Sequence, residues 1–435
     1  MNTYLNPDRS DWAGIMARPM IEVVKIRKEV KKVLEEIRTD GDAALRKFTL
    51  QFDKVELNDF AVSEQEIAGS ALLLDDNLKN AIAGAAKNIA AFHQSQLQPV
   101  SKMEVSEGVF CWQKQVPIDK IGFYIPGGTA PLFSTVLMLA IPAQIAGCRD
   151  IIMCTPPGPD GKIHPAILYA AKSAGVTRIF RLGGIQAIGA MAYGTETVPA
   201  VYKIFGPGNQ YVMTAKQIVN MNQVSIDMPA GPSEVMVIAD NQSNPEFVAA
   251  DLLSQAEHGI DSQVILISRS LDFTEKVKAQ IEIQIEKLPR KEIARKALDN
   301  CALVVLENVA DKVDFINEYA PEHLIICASN YVEIASQVRN AGSVFLGSYT
   351  PESAGDYASG TNHTLPTNGW AKSFNGVNID SYIKKITFQE ITTNGLQKLA
   401  PIIEPMAEAE HLMAHKNAVS LRIDYLRSIT PRRKP

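Results

Sequence analysis

The sequence predicts an α/β fold with two doubly wound parallel sheets, N-terminal helices and a C-terminal helical extension. Three observations lead to this prediction. Short runs rich in β-branched residues alternate with helical segments from residue 119 to residue 348. Helical spacing prevails instead in residues 20–100 and again after residue 375. The segment MPAGPS, residues 228–233, divides the alternating part into two sheet-forming units, around 120–230 and 234–348.

The N-terminal part predicts helices from spacing and capping. Its first helix carries apolar residues at helical intervals, namely Val23, Ile26, Val30, Leu34 and Ile37. Gly41 is expected to break that helix, and Ser63 with Glu66 forms the capping box of another.

The first sheet-forming unit predicts four strands, each followed by a helix. The predicted strands lie in KIGFYIPGG, DIIMCTPP, TRIFRLGG and VYKIFGPG. The predicted helices are STVLMLAIPAQIAG, which Pro142 interrupts, HPAILYAAKSAG, IQAIGAMAYG and NQYVMTAKQIVNM.

The second unit predicts the strands SEVMVIAD, QVILIS, ALVVLE, HLIICA and SVFLG with helices between them. Asn244 caps the first of these helices, Pro245 is its first residue and Gly259 ends it. Beyond residue 375, PMAEAEHLMAHKNAVSLRIDYLRS is expected to form one long helix.

Composition excludes several classes of protein. The net charge is −5 and no long basic stripe is present, which disfavours nucleic-acid binding. No apolar run reaches the roughly 18 residues of a membrane span, and the first residues lack a secretory signal, so we expect a cytoplasmic protein. The five cysteines form no CxxC pair, which disfavours a cysteine-based zinc site.

The stretch SQAEHGIDSQ places Gln255 and His258 three residues apart at the end of a predicted helix. Residues at this spacing share a helix face, so both side chains can face one object. Histidine is a good zinc ligand and glutamine a poor one. The alternative is a histidine that ends a helix and interacts with the helix dipole.

Two further stretches carry acids beside histidines. In PEHL, Glu322 and His323 precede a buried strand and suit proton transfer if a loop lets them converge; on a strand they would point to opposite faces. In SAGDYASGTNHTLPT, Asp356 and His363 lie in a polar, glycine-rich stretch that is typical of functional loops. Solvated loop residues are the alternative in both cases.

The stretch EAEHLMAH offers a third candidate. His411 and His415 are four residues apart, a spacing that suits two ligands on one metal. Glu410 would lie about 140° around the helix from His415. A solvated helix face is the alternative.

Glycine turns after predicted strands indicate a dinucleotide crevice, although no complete GxGxxG motif is present. GPGNQY has Tyr211 where the third glycine would stand, and backbone amides at that helix start can still hold a phosphate. GGIQAIG and YIPGGTAPL supply further turns of this kind.

Longer segments, taken in order, resemble motifs of the bacterial histidinol dehydrogenase family. They are YIPGGTAPLFSTVLMLA, FGPGN, DMPAGPSEV, DLLSQAEHG, PEHLII, GSVFLG, TPESAGDYASGTNHTLPT and AHKNAV. The match runs from the N-terminal helices to about residue 424. The resemblance implies oxidation of L-histidinol to L-histidine through the aldehyde, with two NAD⁺ in succession and one Zn²⁺ per site, as the last step of histidine biosynthesis.

The resemblance also implies a role for individual residues. Gln255, His258, Asp356 and His415 match the family's zinc ligands, and all four also match substrate-binding positions. Glu322 and His323 match the catalytic pair, and His323 also binds substrate. The remaining substrate-binding positions are Ser233, His363 and Glu410. The positions that contact NAD are Tyr124, Gln186 and Asn209. The resemblance makes His415 a zinc ligand but gives no role to His411. It therefore replaces the pair His411 and His415 that spacing alone favoured.

The implied organisation is two incomplete Rossmann-like units and a homodimer. We expect an N-terminal arm (1–20), a first α/β unit with the zinc-site residues (21–118 with 234–372), a second, NAD-binding α/β unit (119–233) and a helical extension (373–435). The extension would carry Glu410 and His415 into the partner subunit's site. The alternatives are a zinc-dependent hydrolase that needs no NAD and a non-catalytic binding protein.

Overall fold

The computed structural model describes residues 1–18, 23–127, 130–221, 224–229 and 231–429, and Val23 and Val24 in their backbone only. The second glycine of the YIPGG turn and the alanine of MPAGPS lie outside the described residues. Contacts divide the chain into two compact units. The first unit comprises Met1–Gln96 with Ile118–Tyr382, and the second comprises Leu97–Pro117 with the chain from Ile383 onwards.

The N-terminal part of the first unit contains one strand and five α-helices. They are β1 (Asn2–Leu5), α1 (Trp12–Ile15), α2 (Val23–Asp40), α3 (Asp42–Phe48), α4 (Glu64–Gly69) and α5 (Asp76–Gln94). A π-helical turn, Thr49–Asp53, follows α3. The predicted capping box of Ser63 and Glu66 is confirmed at the start of α4. The next strands, β2 (Met103–Ser106) and β3 (Val109–Pro117), belong to the second unit.

A five-stranded parallel sheet follows. Its alternation of strands and helices is as predicted, but the sequence predicted only four of its strands and not the fifth, Ser225–Ile226. Its elements are β4 (Lys120–Tyr124), α6 (Phe133–Ala146), β5 (Asp150–Thr155), α7 (Pro165–Ser173), β6 (Arg178–Arg181), α8 (Gly184–Tyr193), β7 (Lys203–Phe205), α9 (Gln210–Asn220) and β8 (Ser225–Ile226). The strand order is β6-β5-β4-β7-β8. Pro142 lies inside α6, which is buried along most of its length.

A six-stranded parallel sheet forms the other half of the first unit. Its elements are β9 (Glu234–Ile238), α10 (Pro245–Ala256), β10 (Gln263–Ser268), α11 (Leu271–Ile285), α12 (Lys291–Leu298), β11 (Ala302–Val305), α13 (Val309–Tyr319), β12 (His323–Ile326), α14 (Tyr331–Ala335), β13 (Ser343–Leu346) and α15 (Glu352–Tyr357). The order is β1-β11-β10-β9-β12-β13. The strand β1, which the sequence did not predict, adds the edge by pairing with β11 in parallel.

Both parallel sheets confirm the predicted α/β fold class. Their central strands are almost fully buried, as expected when helices cover both faces of a sheet. None of the described helices combines the length and the apolar character that a membrane span requires.

The second unit combines a small antiparallel sheet with a pair of helices. The strand β14 (Ile383–Ile391) pairs with β3, which pairs in turn with β2. The helices α16 (Thr393–Ala409) and α17 (Met413–Ile429) pack together around Ala400, Val419 and Ile423.

Two predictions for this unit are wrong. The region after residue 375 is not wholly helical, because β14 lies there; its pairing partner β3 is far away in sequence. The predicted single helix breaks at His411, which has a left-handed φ of 59°. Leu412 N donates to Ala407 O and closes the end of α16 before α17 begins. His411 and His415 therefore do not share one helix face, and the spacing argument for that pair fails.

Candidate active site

Three segments of the first unit bring predicted site residues together. Gln255 lies in the last turn of α10, and His258 lies in the turn just beyond it, where its backbone N–H donates to Gln255 O at 3.2 Å. His323 is the first residue of β12, and Asp356 lies in α15.

The predicted catalytic pair, Glu322 and His323, lies at the amino end of β12, beside the amino end of β9. Glu322 Oε2 accepts a hydrogen bond from Glu234 N at 2.9 Å, and His323 Nδ1 lies 3.3 Å from Glu234 O. The backbone of Glu234 therefore holds both side chains. Because Glu322 precedes the strand, the two side chains converge, with His323 Nδ1 3.7 Å from Glu322 Oε2. This is the loop arrangement that the sequence left open.

His323 is buried among three carboxyl groups. Its Nδ1 lies 3.7 Å from Glu352 Oε1 as well as from Glu322, and its Nε2 lies 3.7 Å from Asp356 Oδ1. Burial alone lowers the pKa of His323, but the charges of Glu352, Glu322 and Asp356 raise it to about 10. The negative charge of the surrounding carboxyl groups therefore favours the protonated form of His323.

The pKa values of the three carboxyl groups shift in different directions. Burial raises the pKa of Glu322 to about 8, although the charge of His323 opposes the rise. Burial likewise raises the pKa of Glu352 to about 8. Burial would also raise the pKa of Asp356, but its contact with His323 lowers it. Asp356 is therefore the anionic partner of His323.

Asp356 also connects the site to the five-stranded half of the unit. The backbone O of Asp356 is 3.0 Å from His363 Nδ1, and His363 Nε2 is 3.2 Å from Thr135 Oγ1 in α6. His363 therefore donates to Asp356 O and accepts from the Thr135 hydroxyl. This pairing fixes the orientation of the His363 ring between α6 and α15.

Several buried polar atoms of the site have no hydrogen-bond partner among the described residues. They are both amide atoms of Gln255, Nε2 of His323 and Oε2 of Glu352. Unpaired buried polar atoms cost free energy unless a ligand satisfies them. Ligand atoms of His258, Glu352 and Asp356 lie within 4.8 Å of one another. Nitrogen and oxygen donors at this spacing fit a zinc ion.

The other predicted substrate-binding residues fall at different places. Ser233 directly precedes β9, so it lies at the same edge of the sheet as Glu322 and His323. Glu410 follows α16, and His415 lies in α17; both belong to the second unit and both are exposed. The first unit thus gathers Gln255, His258, Glu322, His323, Asp356 and His363 without them.

Two of the three predicted NAD contacts meet at the turn that begins α8. Gly184 N donates to the Tyr124 hydroxyl at 3.2 Å. Gln186 is fully buried and donates from Nε2 to Asp53 Oδ2 at 2.8 Å. Tyr124 and Gly184 lie at the carboxyl ends of β4 and β6, where open α/β sheets bind ligands.

Asn209, the third predicted NAD contact, caps α9 and accepts from the N–H groups of Tyr211 and Val212 at 3.1 Å each. It also lines a cavity of about 500 Å³. The other lining residues are Lys25, Ile26, Glu29, Gln210, Tyr211 and Asp261.

Comparison with known proteins identifies the family. A histidinol dehydrogenase family model matches residues 16–423. Histidinol dehydrogenase from Bacteroides thetaiotaomicron is 56% identical over 421 residues, 97% of this chain and 98% of that protein. The Escherichia coli K12 protein of the same name is 49% identical over 416 residues, 95% of each chain. The chain belongs to the histidinol dehydrogenase family.

Solved structures agree with this membership. The crystal structure of histidinol dehydrogenase from Elizabethkingia anophelis superposes with a TM-score of 0.96 at 54% identity and covers 98% of this chain and 99% of that one. The chain is therefore an oxidoreductase, and its family performs the histidinol-oxidising step of histidine biosynthesis. The resemblance inferred from the sequence motifs is confirmed.

Four residues of the site were missed in the sequence: Glu352, Glu234, Thr135 and Asp53. Glu352 is four residues before Asp356, so helical spacing in α15 could have placed both on one face. Glu234 acts through its backbone, and Thr135 and Asp53 reach their partners across more than 100 residues. No short-range pattern reveals such contacts.

Proposed function

We propose that this chain is a zinc- and NAD-dependent histidinol dehydrogenase that converts L-histidinol to L-histidine through L-histidinaldehyde. Two successive oxidations would complete the last step of histidine biosynthesis. The observation that carries the proposal is the buried His323, whose Nε2 has no hydrogen-bond partner within the described residues and lies 3.7 Å from Asp356 Oδ1, beside a set of metal-type donors.

The zinc ligands would be Gln255, His258 and Asp356 of one subunit with the partner subunit's His415. Support for the first three comes from the Gln255 amide, which has no hydrogen-bond partner in the part of the chain that the structure describes, and from the donor group that contains His258 and Asp356. The bound ion would supply positive charge that holds the amine and imidazole of the substrate and lowers the pKa of His323. Bound NAD⁺ would supply the hydride acceptor.

His323 would be the general base of both oxidations. Its Nδ1 faces Glu234 O, so in the neutral ring Nδ1 carries the proton and donates a hydrogen bond to Glu234 O. The lone pair is then on Nε2, the atom that has no partner within the described residues. Nε2 can take the hydroxyl proton of the alcohol and, later, that of the hydrated aldehyde.

Glu322 would activate the water that hydrates the aldehyde. Its Oε2 is fixed by Glu234 N, and its carboxyl group contacts His323. A buried carboxyl group with a pKa near 8 exchanges protons close to neutral pH, which suits a group that must take a proton and return it. Fixed positions for both groups would keep the reactive aldehyde oriented between the two steps.

The remaining roles follow the sequence assignments. Substrate would contact Ser233, His363 and the partner subunit's Glu410, together with His323 and the zinc ligands. The orientation of His363 between Thr135 and Asp356 supports its assignment. NAD would contact Tyr124, Gln186 and Asn209, and the turn between β6 and α8 supports the first two.

We propose a homodimer because the second unit exposes one proposed zinc ligand, one proposed substrate-binding residue and many apolar side chains. Glu410 and His415 are exposed on this unit. Its exposed apolar side chains include Ile402, Met406, Leu412, Met413, Leu421, Tyr425 and Ile429. Exposed apolar patches of this kind mark protein interfaces.

The decisive experiment measures NADH formation from L-histidinol by the purified protein. We expect two NADH per histidinol, loss of activity after a chelator, and recovery with Zn²⁺. Chelator-resistant NADH formation would remove the metal from the proposal. Chelator-sensitive hydrolysis of esters or amides without NADH formation would favour the hydrolase instead.

A second experiment tests the shared site. The His415→Asn variant should lose zinc, whereas His411→Asn, the matched control in the same exposed unit, should retain it. Mixed dimers of His415→Asn and His323→Asn chains should recover activity, because one site per dimer then contains both native residues. Verified mixed dimers without activity would contradict the exchange of His415 between subunits.

A further inference from the structure

The cluster around Gln186 contains an acid that the proposed reaction does not use. Asp53 ends the π-helical turn after α3 and comes from outside the five-stranded sheet, 133 residues before Gln186. Its Oδ2 accepts the hydrogen bond from Gln186 Nε2 at 2.8 Å. Burial raises the pKa of Asp53 to about 6, against the effect of that hydrogen bond, so Asp53 is ionised at pH 8.

This contact fixes the orientation of the Gln186 amide. The Nε2 group donates to Asp53, so the other end of the amide is the carbonyl oxygen Oε1. Oε1 is buried and has no partner among the described residues. It lies over the Gly183–Gly184 turn, because a Cβ atom on Gly184 would be 3.2 Å from it. Gly184 has a φ of +51°, so this close approach depends on glycine.

The surroundings of Asp53 are the turns that follow three neighbouring strands. A Cβ atom on Gly183, after β6, would lie 2.9 Å from Asp53 Oδ1 and 2.8 Å from Pro156 Cβ, after β5. A Cβ atom on Gly127, after β4, would clash with the Pro156 ring. Asp53 therefore lies at the carboxyl edge of β6-β5-β4, on one side of the switch point between β4 and β7.

In dinucleotide-binding sheets, that side of the switch point holds the adenosine half of the cofactor. The acid that accepts a hydrogen bond from the ribose hydroxyl there usually follows the second strand. In this chain the corresponding strand, β5, is followed by Pro156 and Pro157, and the next acid, Asp160, is exposed and accepts from Lys162 N. Asp53 brings a carboxylate to this edge from another part of the chain.

We infer that Asp53 is a positioning and specificity-determining residue of the proposed NAD site. It holds the Gln186 amide so that two acceptors, Gln186 Oε1 and its own carboxylate, face the ribose hydroxyls and exclude a 2′-phosphate. Hydroxyl groups donate to such acceptors, whereas a 2′-phosphate would meet the like charge of Asp53 there. The inference rests on the proposed NAD-dependent activity.

Two variants separate the positioning of Gln186 from the effect of charge. Asp53→Asn removes the charge but retains an oxygen that accepts from Gln186 Nε2, and Asp53→Ala removes both. The matched control is Asp160→Asn. Asp160 is exposed, lies after β5 and accepts a hydrogen bond from Lys162 N, which an asparagine can also accept. Each protein is assayed at pH 8 with saturating L-histidinol and either NAD⁺ or NADP⁺.

We expect Asp53→Ala to raise KM for NAD⁺ about tenfold with kcat within about twofold, the size of one lost buried hydrogen bond. Asp53→Asn should keep KM for NAD⁺ within about threefold and raise kcat/KM for NADP⁺ at least about tenfold. Asp160→Asn should change neither. In a Gln186→Ala background, Asp53→Ala should raise KM by less than it does in the unmodified protein, because part of its effect passes through Gln186 and only the direct contact of its carboxylate remains.

The outcomes distinguish this inference from the proposed function. If the unmodified protein forms no NADH from histidinol, the proposed function fails. If it does so and both Asp53 variants behave like Asp160→Asn, the inference is wrong and the NAD-dependent activity stands. Should Asp53→Ala not fold, Asp53→Asn decides alone: unchanged discrimination against NADP⁺ overturns the inference, and increased use of NADP⁺ supports it.

Discussion

The two sheets of the first unit carry the predicted site residues at opposite edges. The proposed cofactor cluster of Tyr124, Gln186 and Asp53 lies at the carboxyl ends of β4 and β6 in the five-stranded sheet. The cluster around Glu322 and His323 lies at the amino ends of β9 and β12 in the six-stranded sheet. The first position follows the general rule for open α/β sheets, and the second does not.

The difference teaches how each site depends on its sheet. At the carboxyl edge, glycine turns between strand and helix make room for a ligand and can be recognised in sequence. At the amino edge, the sheet contributes the backbone of Glu234, which aligns Glu322 and His323. The remaining groups arrive on the ends of α10 and α15. Chemistry at that edge thus depends on the packing of helices and not on a strand–turn–helix motif.

The largest expected effect concerns the amino-edge cluster. His323→Asn should lower kcat about 10³-fold, because it removes the proposed general base. Zinc content by atomic emission and KM for NAD⁺ should stay close to the values of the unmodified protein. A variant that retains normal turnover would exclude His323 as the base, and one that loses its zinc would make it a ligand instead.

The next largest effect concerns how the stability that Glu322 contributes to the fold depends on pH. The pKa of Glu322 is about 8 in the folded chain and near 4.5 ordinarily, so its protonated form contributes stability that is fully present below pH 4.5 and lost as the pH rises through 8. Glu322→Gln should remove this loss, which is on the order of 3 kcal/mol. Urea unfolding of zinc-free protein at pH 5 and pH 9 measures it. The exposed Glu318→Gln is the control; equal pH dependence in both variants would contradict the burial argument.

A smaller effect tests whether Glu352 supports the metal. Glu352→Gln should weaken zinc binding by about ten- to a hundredfold in competition with a chromophoric chelator, because its carboxyl group belongs to the donor cluster with His258 and Asp356. The Glu318→Gln control should bind zinc normally. Unchanged affinity in Glu352→Gln would restrict Glu352 to its contact with His323.

Local patterns predicted most of the first unit. β-branched runs, glycine turns and caps such as Ser63 and Asn244 fixed the strands and helices of both parallel sheets. The sequence did not reveal β1, whose partner β11 lies about 300 residues away, or the pairing of β14 with β3. Pairing over such distances depends on tertiary contacts and leaves no short-range pattern.

The C-terminal helix break shows a second limit. His411 adopts a left-handed conformation without the glycine that usually marks one, so helical periodicity predicted a continuous helix. The site shows the same division. Family motifs named Gln255, His258, His323 and Asp356, which the structure brings into one region, whereas Glu352 and Asp53 are recognised only by their contacts.

The smallest effect belongs to the carboxyl edge. Burial raises the pKa of Asp53 to about 6. Its protonated form therefore contributes stability that is fully present below about pH 4 and is lost as the pH rises through 6, a lower pH range than that of Glu322. Asp53 is only partly buried, and solvent reduces the effect to about 1 kcal/mol or less. Asp53→Asn should therefore unfold at a slightly higher urea concentration than the unmodified protein at pH 8 and at the same concentration at pH 4, with Asp160→Asn unchanged at both. If Asp53→Asn is also more resistant to urea at pH 4, the effect comes from packing around Gln186 and not from the charge of Asp53. The expected difference in pH dependence between the two edges would then be contradicted.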